Sequence, residues 1–225
     1  MDTCVLFATP IIGFDLSADY HASMLSTQAE CFRHRIACGF QIEAGHMFLT
    51  VKRNKLVDYF LNSPENFTDL FFIDSDQGWD EKVIPRFLAY EQDVVCGLPP
   101  KKCDEPTFHS NAMTGRMHRK NHLFEAEEAG TGFMRIKRAA FEKLDAHYPE
   151  LKTADRENKE TPYFQSGIID GGFMGEDIFF CRRWVGMGQK LWIDPDVTFS
   201  HRGSKAWKGN FYDHCVDTGL LKKSA

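Results

Sequence analysis

Residues 70–76 read Leu-Phe-Phe-Ile-Asp-Ser-Asp: four consecutive apolar side chains run directly into two carboxylates spaced i, i+2. A short continuous apolar run predicts a strand buried on both faces of a parallel or mixed sheet. In such sheets ligands bind beyond the carboxyl ends of the strands. Asp74 and Asp76 would then stand at a ligand-facing rim, where paired anionic oxygens suit a divalent cation carrying a phosphorylated substrate. The competing reading is that the two acids open a loop and cap the next helix. On the motif alone both readings stand.

The flanking chain alternates strand and helix signals. Residues 4–9 (CVLFAT) predict a buried strand ending at Pro10. Ser17 or Asp19 caps a helix whose apolar face is Leu25, Ala29, Phe32 and Ile36, with Gly39 as its stop. Residues 40–44 predict a short strand and 51–61 a helix turning Val57, Phe60 and Leu61 inward. Asp80 caps a helix through Tyr90, in which Pro85 marks a kink or the first turn. Residues 93–98 predict another buried strand. Such alternation indicates an α/β sandwich.

The second half is less regular. Residues 99–122 lack an apolar period and read as a long loop or hairpin. Strands are predicted at 123–129 and 133–136 around Gly130-Thr131-Gly132, and a helix at 138–144. Residues 148–168 are polar and read as a mobile loop. A helix is expected at 175–185, opening on Glu176-Asp177, then strands at 190–193 and 197–200, with His201 just after the last.

The 225 residues fit one domain, with residues 1–100 and 101–225 as its two halves. The longest nearly apolar stretch, 4–14, is too short to span a bilayer, and the start lacks a basic secretory segment. The expectation is a soluble, cytoplasmic protein without a membrane anchor. Seven cysteines without a Cys-x-x-Cys pair predict buried free thiols rather than a disulfide framework or zinc site. Residues 1–100 carry 7 basic and 14 acidic side chains, whereas 182–225 carry 8 and 4. One face could therefore meet a polyanion although the whole protein could not.

Three chemical elements follow in order: Asp74-Ser75-Asp76, Gly175-Glu176-Asp177 and a late His201. With FFIDSDQGWDEKVIPRFL, VVCGLPPKK, GTGFMRIKRAAFEKL, GGFMGEDIFFCRRWVGMGQKLWIDPDV and FSHRG, the chain resembles GT-A-type glycosyltransferases. The resemblance spans most of the chain from Leu70 onward, together with VLFATP and VKRNKLVDYFL. The short length resembles bacteriophage-encoded members. It implies a GT-A-like, Rossmann-type nucleotide-binding mixed sheet sandwiched by helices. It also implies a metal-dependent enzyme that moves a sugar from a nucleoside-diphosphate donor, UDP above all, to an acceptor hydroxyl with inversion.

On that resemblance Asp76 and His201 are expected to ligate Mn²⁺ or Mg²⁺, with Asp74 helping through the metal's water or the ribose. Asp177 is the expected general base and Glu176 the runner-up, because an attacking hydroxyl must lose a proton. The plainer reading of both is favourable charge at a helix N-terminus. Thr9 and Pro10 would line the base pocket, Arg53 and Ser75 the nucleotide, and Lys101 or Lys102 a phosphate. Arg202 and Lys205 would hold the diphosphate, and Gly132 would let the backbone approach the sugar. Trp184 and Trp192 are expected in the core. Trp207 is expected to be exposed and free to stack.

Three alternatives differ at particular residues. An Asp-x-Asp phosphatase would need Thr or Val where Gly78 stands. A sugar nucleotidyltransferase would need a Gly-rich basic loop where ATPIIGFD stands. A non-catalytic nucleotide-sugar binder would make the joint presence of Asp74, Asp76, Asp177 and His201 a coincidence. For the acceptor, the basic, aromatic stretch RGSKAWKGNFY points to DNA bearing hydroxymethylated pyrimidines, with a glycan, lipid or protein as alternatives.

Overall fold

The computed structural model describes residues 3–104, 107–108, 119–120, 122–152, 160–169 and 171–221. The first half contains β1 (Cys4–Pro10), α1 (Ala18–Arg33), β2 (Ala37–Glu43), α2 (Leu49–Asn62), β3 (Asp69–Ile73), β4 (Gln77–Trp79), α3 (Val83–Ala89) and β5 (Val94–Gly97). The second half adds β6 (Arg119–Lys120), β7 (Leu123–Ala126), β8 (Phe133–Lys137), α4 (Arg138–His147), β9 (Gly167–Ile169), β10 (Gly172–Met174), α5 (Glu176–Gly186), β11 (Leu191–Asp194), β12 (Thr198–Arg202), β13 (Ala206–Asn210) and α6 (Phe211–Asp217).

Eight strands form one sheet in the order β2-β1-β3-β8-β5-β11-β7-β6. β3 lies between β1, which it meets in parallel, and β8, which it meets antiparallel. All five of its side chains are buried: the apolar run accounts for Leu70 to Ile73, and Asp69 accepts from the Thr68 hydroxyl at 2.8 Å. Successive residues serve opposite faces. Leu70 and Phe72 join the core under α2, α4 and α5, and Phe71 and Ile73 join the core under α1 and α3. Each such ring or branched chain contributes about 1.5–3 kcal/mol of burial. The architecture is thus a mixed α/β sheet flanked by helices. Among the described residues no helix is long and apolar enough to cross a membrane.

Several expectations are corrected here. Ser17 does cap α1, accepting from the Tyr20 N–H at 3.0 Å, but the helix ends at Arg33 and Gly39 lies inside β2. A Cβ on Gly39 would stand 2.7 Å from the Phe67 ring, so the glycine serves packing. The inward face of α1 carries Tyr20, Thr27 and Cys31, leaving Leu25 and Phe32 exposed. Polar groups face inward because they are partnered: the Trp79 indole donates to the Thr27 hydroxyl at 3.0 Å, and Ser23 bonds the Trp79 backbone. Apolar periodicity alone selected the wrong stripe.

Pro85 lies in the first turn of α3. Segment 148–168 holds a 3-10 turn, Pro149–Leu151, and the start of the β9–β10 hairpin; its residues 153–159 lie outside the described set. Within 99–122, residues 105–106, 109–118 and 121 also lie outside it. Trp184 and Trp192 are buried as expected. Trp207 is half-buried against its own loop, where a Cβ on Gly203 would come within 2.8 Å of its ring.

A second, three-stranded sheet, β13-β12-β4, had no signal in the sequence reading. It decides the site's geometry. β4 follows Asp76 immediately and pairs His201 with Gln77, so His201 lies within a strand, not after one.

Candidate functional site

The carboxyl ends of β1, β3 and β5 and the loop entering β8 share one rim of the large sheet. The Asp74 N–H donates to the Gly132 carbonyl at 2.9 Å, extending the β3–β8 ladder by one bond. The Arg202 N–H donates to the Asp76 carbonyl at 2.7 Å, extending the β4–β12 ladder. The Asp-x-Asp segment is therefore fixed between the two sheets.

Beside it opens a pocket of ≈ 210 Å³, whose walls include Arg53, Asp74, Gln77, Gly132, Asp177 and His201. Four of the seven buried side-chain atoms left without a hydrogen bond among the described residues belong to this rim: Arg53 Nη1, Asp76 Oδ1, Gln77 Oε1 and Thr131 Oγ1. Buried polar atoms are otherwise almost always satisfied, so their gathering here makes this rim the candidate place for a polar ligand.

Asp76 and His201 meet. Asp76 Oδ1 lies 3.4 Å from His201 Nε2, and its other oxygen pairs with Lys102. His201 Nδ1 is 2.7 Å from the Pro100 carbonyl oxygen. A carbonyl only accepts, so Nδ1 carries the proton, and a neutral ring keeps its lone pair on Nε2. That lone pair then faces a carboxylate oxygen, an arrangement that a cation between them would stabilise. Burial works to raise the Asp76 pKa, but Lys102 and, with its ring charged, His201 outweigh it and hold the carboxyl below its ordinary range. Among the described residues no group of three or more His, Cys, Asp or Glu is arranged to hold a metal. One imidazole and one carboxylate do fit an ion that takes its remaining ligands from substrate phosphates and water.

Arg53 is a buried residue of α2. It is 1% exposed, donates to Asp74 at 3.0 Å and to Glu176 at 3.3 Å, and stacks over Phe72 at 5.0 Å. It ties α2, β3 and α5 together beneath the pocket. Asp177, in the first turn of α5, accepts the Ile178 N–H through Oδ1 at 2.7 Å. Its Oδ2 faces Gly130 across the pocket. Burial and the neighbouring Glu176 push its pKa up, against the pull of the Ile178 N–H and Arg53.

Other expected residues sit differently. Thr9 and Pro10 are buried at the end of β1, and the Thr9 hydroxyl is bonded to Tyr20 at 2.5 Å. Ser75 receives the Ser17 N–H on its carbonyl. The lysine on Asp76 is Lys102 rather than Lys101, whose backbone N–H bonds Thr107. Arg202 donates through Nη2 to both Asp19 carboxylate oxygens, and Lys205 pairs with Asp104 and covers Trp207. The space at Gly132 is filled by the protein itself, since a Cβ there would lie 2.3 Å from Gln77 Nε2 and 3.0 Å from Asp74 Oδ2. Gln77 and Thr131 were missed. Neither belongs to a motif, and only their orphaned atoms reveal them.

No protein-family model and no curated protein matches this sequence. Among solved structures, the chain is similar to the crystal structure of A197 from STIV at 19% identity and a TM-score of 0.56, covering 90% of this chain and 86% of that one. A glycosyltransferase involved in the glycosylation of the major capsid of PBCV-1 aligns at 12% identity and a TM-score of 0.38, over 69% of this chain and 70% of that one. The first likeness bears on fold, and agrees with a mixed sheet flanked by helices that is broadly GT-A-like.

Proposed function

We propose that the protein is a metal-dependent glycosyltransferase using a nucleoside-diphosphate sugar, UDP-linked above all. The observation that carries this reading is Asp76 Oδ1, which has no hydrogen bond among the described residues and faces His201 Nε2 at 3.4 Å on the same rim as the Asp177 carboxylate. Asp76 and His201 would hold Mn²⁺ or Mg²⁺, and the ion's chemistry is to neutralise charge growing on the departing diphosphate. Asp74, fixed by Arg53, supports that pair. Asp177 Oδ2 accepts the proton of the attacking acceptor hydroxyl, and a base that acts directly on the acceptor accords with inversion.

A hydroxymethylated pyrimidine in DNA drew its support from the basic segment 182–225. Arg182, Arg183, Lys190, Arg202 and Lys205 all bond acceptors within the protein, leaving Lys208 as the described base of that segment with no such bond. The charge argument for DNA loses most of its force.

Calorimetry with UDP and Mn²⁺ tests the donor site. Asp76→Asn and His201→Ala are each expected to weaken metal-dependent UDP binding about tenfold or more, a loss on the order of 1.4 kcal/mol. Wild-type affinity in both variants would remove the metal assignment. Failure of the wild-type protein to bind any nucleoside diphosphate or to release it from a nucleotide sugar would remove the function.

A further inference from the structure

A second, larger cleft of ≈ 900 Å³ lies against the first, and the two share Leu49 and Glu176 as a common wall. Its volume falls within the range of about 300–1,000 Å³ typical of small-ligand sites. Its entrance carries Phe48, at the N-terminal cap of α2, and Phe173, on β10, which are 81% and 78% exposed. Large aromatic rings held this far into solvent at the lip of a cleft are poor for stability and good for stacking. Between them the wall is polar: Glu160, Glu176, Gln165 and Ser166 line it. Two of these are carboxylates, and no Lys or Arg lines the cleft among the described residues.

We infer that this cleft seats the acceptor, and that the acceptor is a neutral sugar ring. The inference rests on the glycosyltransferase reading, whose donor pocket it adjoins. A pyranose offers apolar C–H faces to an aromatic ring and a rim of hydroxyl donors to carboxylates and amides. A phosphodiester chain offers the reverse: strands are held chiefly by Lys and Arg, neither of which is in the described wall, where Glu160 stands beside Glu176, whose Oε1 Arg53 already meets. Part of the polar wall is already committed. The Asn54 amide bonds both backbone groups of Phe164, and Gln165 Oε1 accepts from Arg183. These bonds, with that of Arg53 to Glu176 Oε1, hold the cleft's floor and leave the Gln165 amide N–H groups, Ser166, Glu160 and the second oxygen of Glu176 to the ligand. A ring seated on Phe173 lies one wall away from Asp177, whose carboxylate follows Glu176 on the same helix turn.

Saturation-transfer NMR on the wild-type protein with methyl glucoside, galactoside and mannoside, and separately with a hydroxymethylcytosine oligonucleotide, tests this. At least one glycoside should receive saturation at its ring protons, and the oligonucleotide should not compete with it. Phe48→Ala and Phe173→Ala should each weaken that glycoside about tenfold, and Phe173→Trp should retain it. Both phenylalanines are exposed, so melting curves should match wild type and exclude misfolding. Glycosides that fail to bind, bind both alanine variants as tightly as wild type, or are displaced by the oligonucleotide would overturn the assignment. UDP–Mn²⁺ calorimetry separates the two readings. Nucleotide binding without glycoside binding removes the cleft and keeps the function; glycoside binding without nucleotide binding does the opposite.

Discussion

Asp177→Asn should reduce sugar transfer by about 10²–10⁴-fold while retaining UDP–Mn²⁺ affinity, the loss expected when a general base is removed. The amide keeps the side chain's volume and can still accept the Ile178 N–H that orients the carboxylate at 2.7 Å. What it cannot do is take a proton. Single-turnover kinetics alongside calorimetry checks this. Equal losses in donor affinity and turnover would make Asp177 a binding residue instead.

The same substitution has a stability consequence of opposite sign. Burial and Glu176 raise the folded-state pKa of Asp177 above its unfolded value. Protonated Asp177 therefore stabilises the fold below the ordinary carboxylate range, and this contribution is lost as pH rises through the raised folded value. Once that proton is lost, the wild-type protein holds a partly desolvated charge that the fold alone would not select. Asp177→Asn is expected to gain in melting temperature relative to wild type as pH rises from the ordinary aspartate range, about 4, through the raised folded value. In wild type the acid limb of kcat/KM should fall above the usual aspartate value. A variant less stable than wild type at neutral pH would mean that the carboxylate is structurally required. Stability given up at one residue in return for proton transfer is common at catalytic positions.

What the sequence made legible follows from how local each signal is. The strand ending at Asp74 was readable because its four consecutive apolar positions, Leu70 to Ile73, need nothing beyond their own side chains. The cap at Ser17 and the opening of α5 at Glu176 are likewise local. The stripe of α1 was misread because Thr27 and Ser23 face inward only by virtue of Trp79, more than fifty residues away. β4 and β13 are short and lack alternation, so only their pairing with β12 makes them strands. The site shows the same division. Asp74, Asp76, Asp177 and His201 stand out by residue type and spacing. Gln77, Thr131 and the pairing of Lys102 with Asp76 depend on the second sheet, which had no signature of its own. The segment of basic charge misled for a related reason: a count of Lys and Arg does not reveal which of them already have partners.

Arg53→Ala should cost about 3 kcal/mol of folding stability, at the low end of what removal of one partner from a buried ion pair costs, because Asp74 keeps about a third of its side chain in solvent. For a chain of this size that is a melting-temperature drop on the order of 10 °C. The guanidinium is 1% exposed and stands between Asp74 and Glu176, so its loss leaves two carboxylates facing one another with no counter-charge. It also removes the plane stacked on Phe72. Arg53→Lys should recover only part of the loss, since one ammonium cannot reproduce the fork that bonds Asp74 through Nη2 and Glu176 through Nε. Adding Glu176→Gln to Arg53→Ala should restore stability, because it removes one of the stranded charges; the coupling energy of that double-mutant cycle is the decisive number. A small stability change accompanied by a large fall in UDP affinity would instead make Arg53 a nucleotide ligand, its orphaned Nη1 reserved for phosphate or ribose. A large coupling with Glu176 means that Arg53 acts through Asp74 and α5: it fixes the carboxylate beside the proposed metal site and the helix that carries the base in one rigid frame.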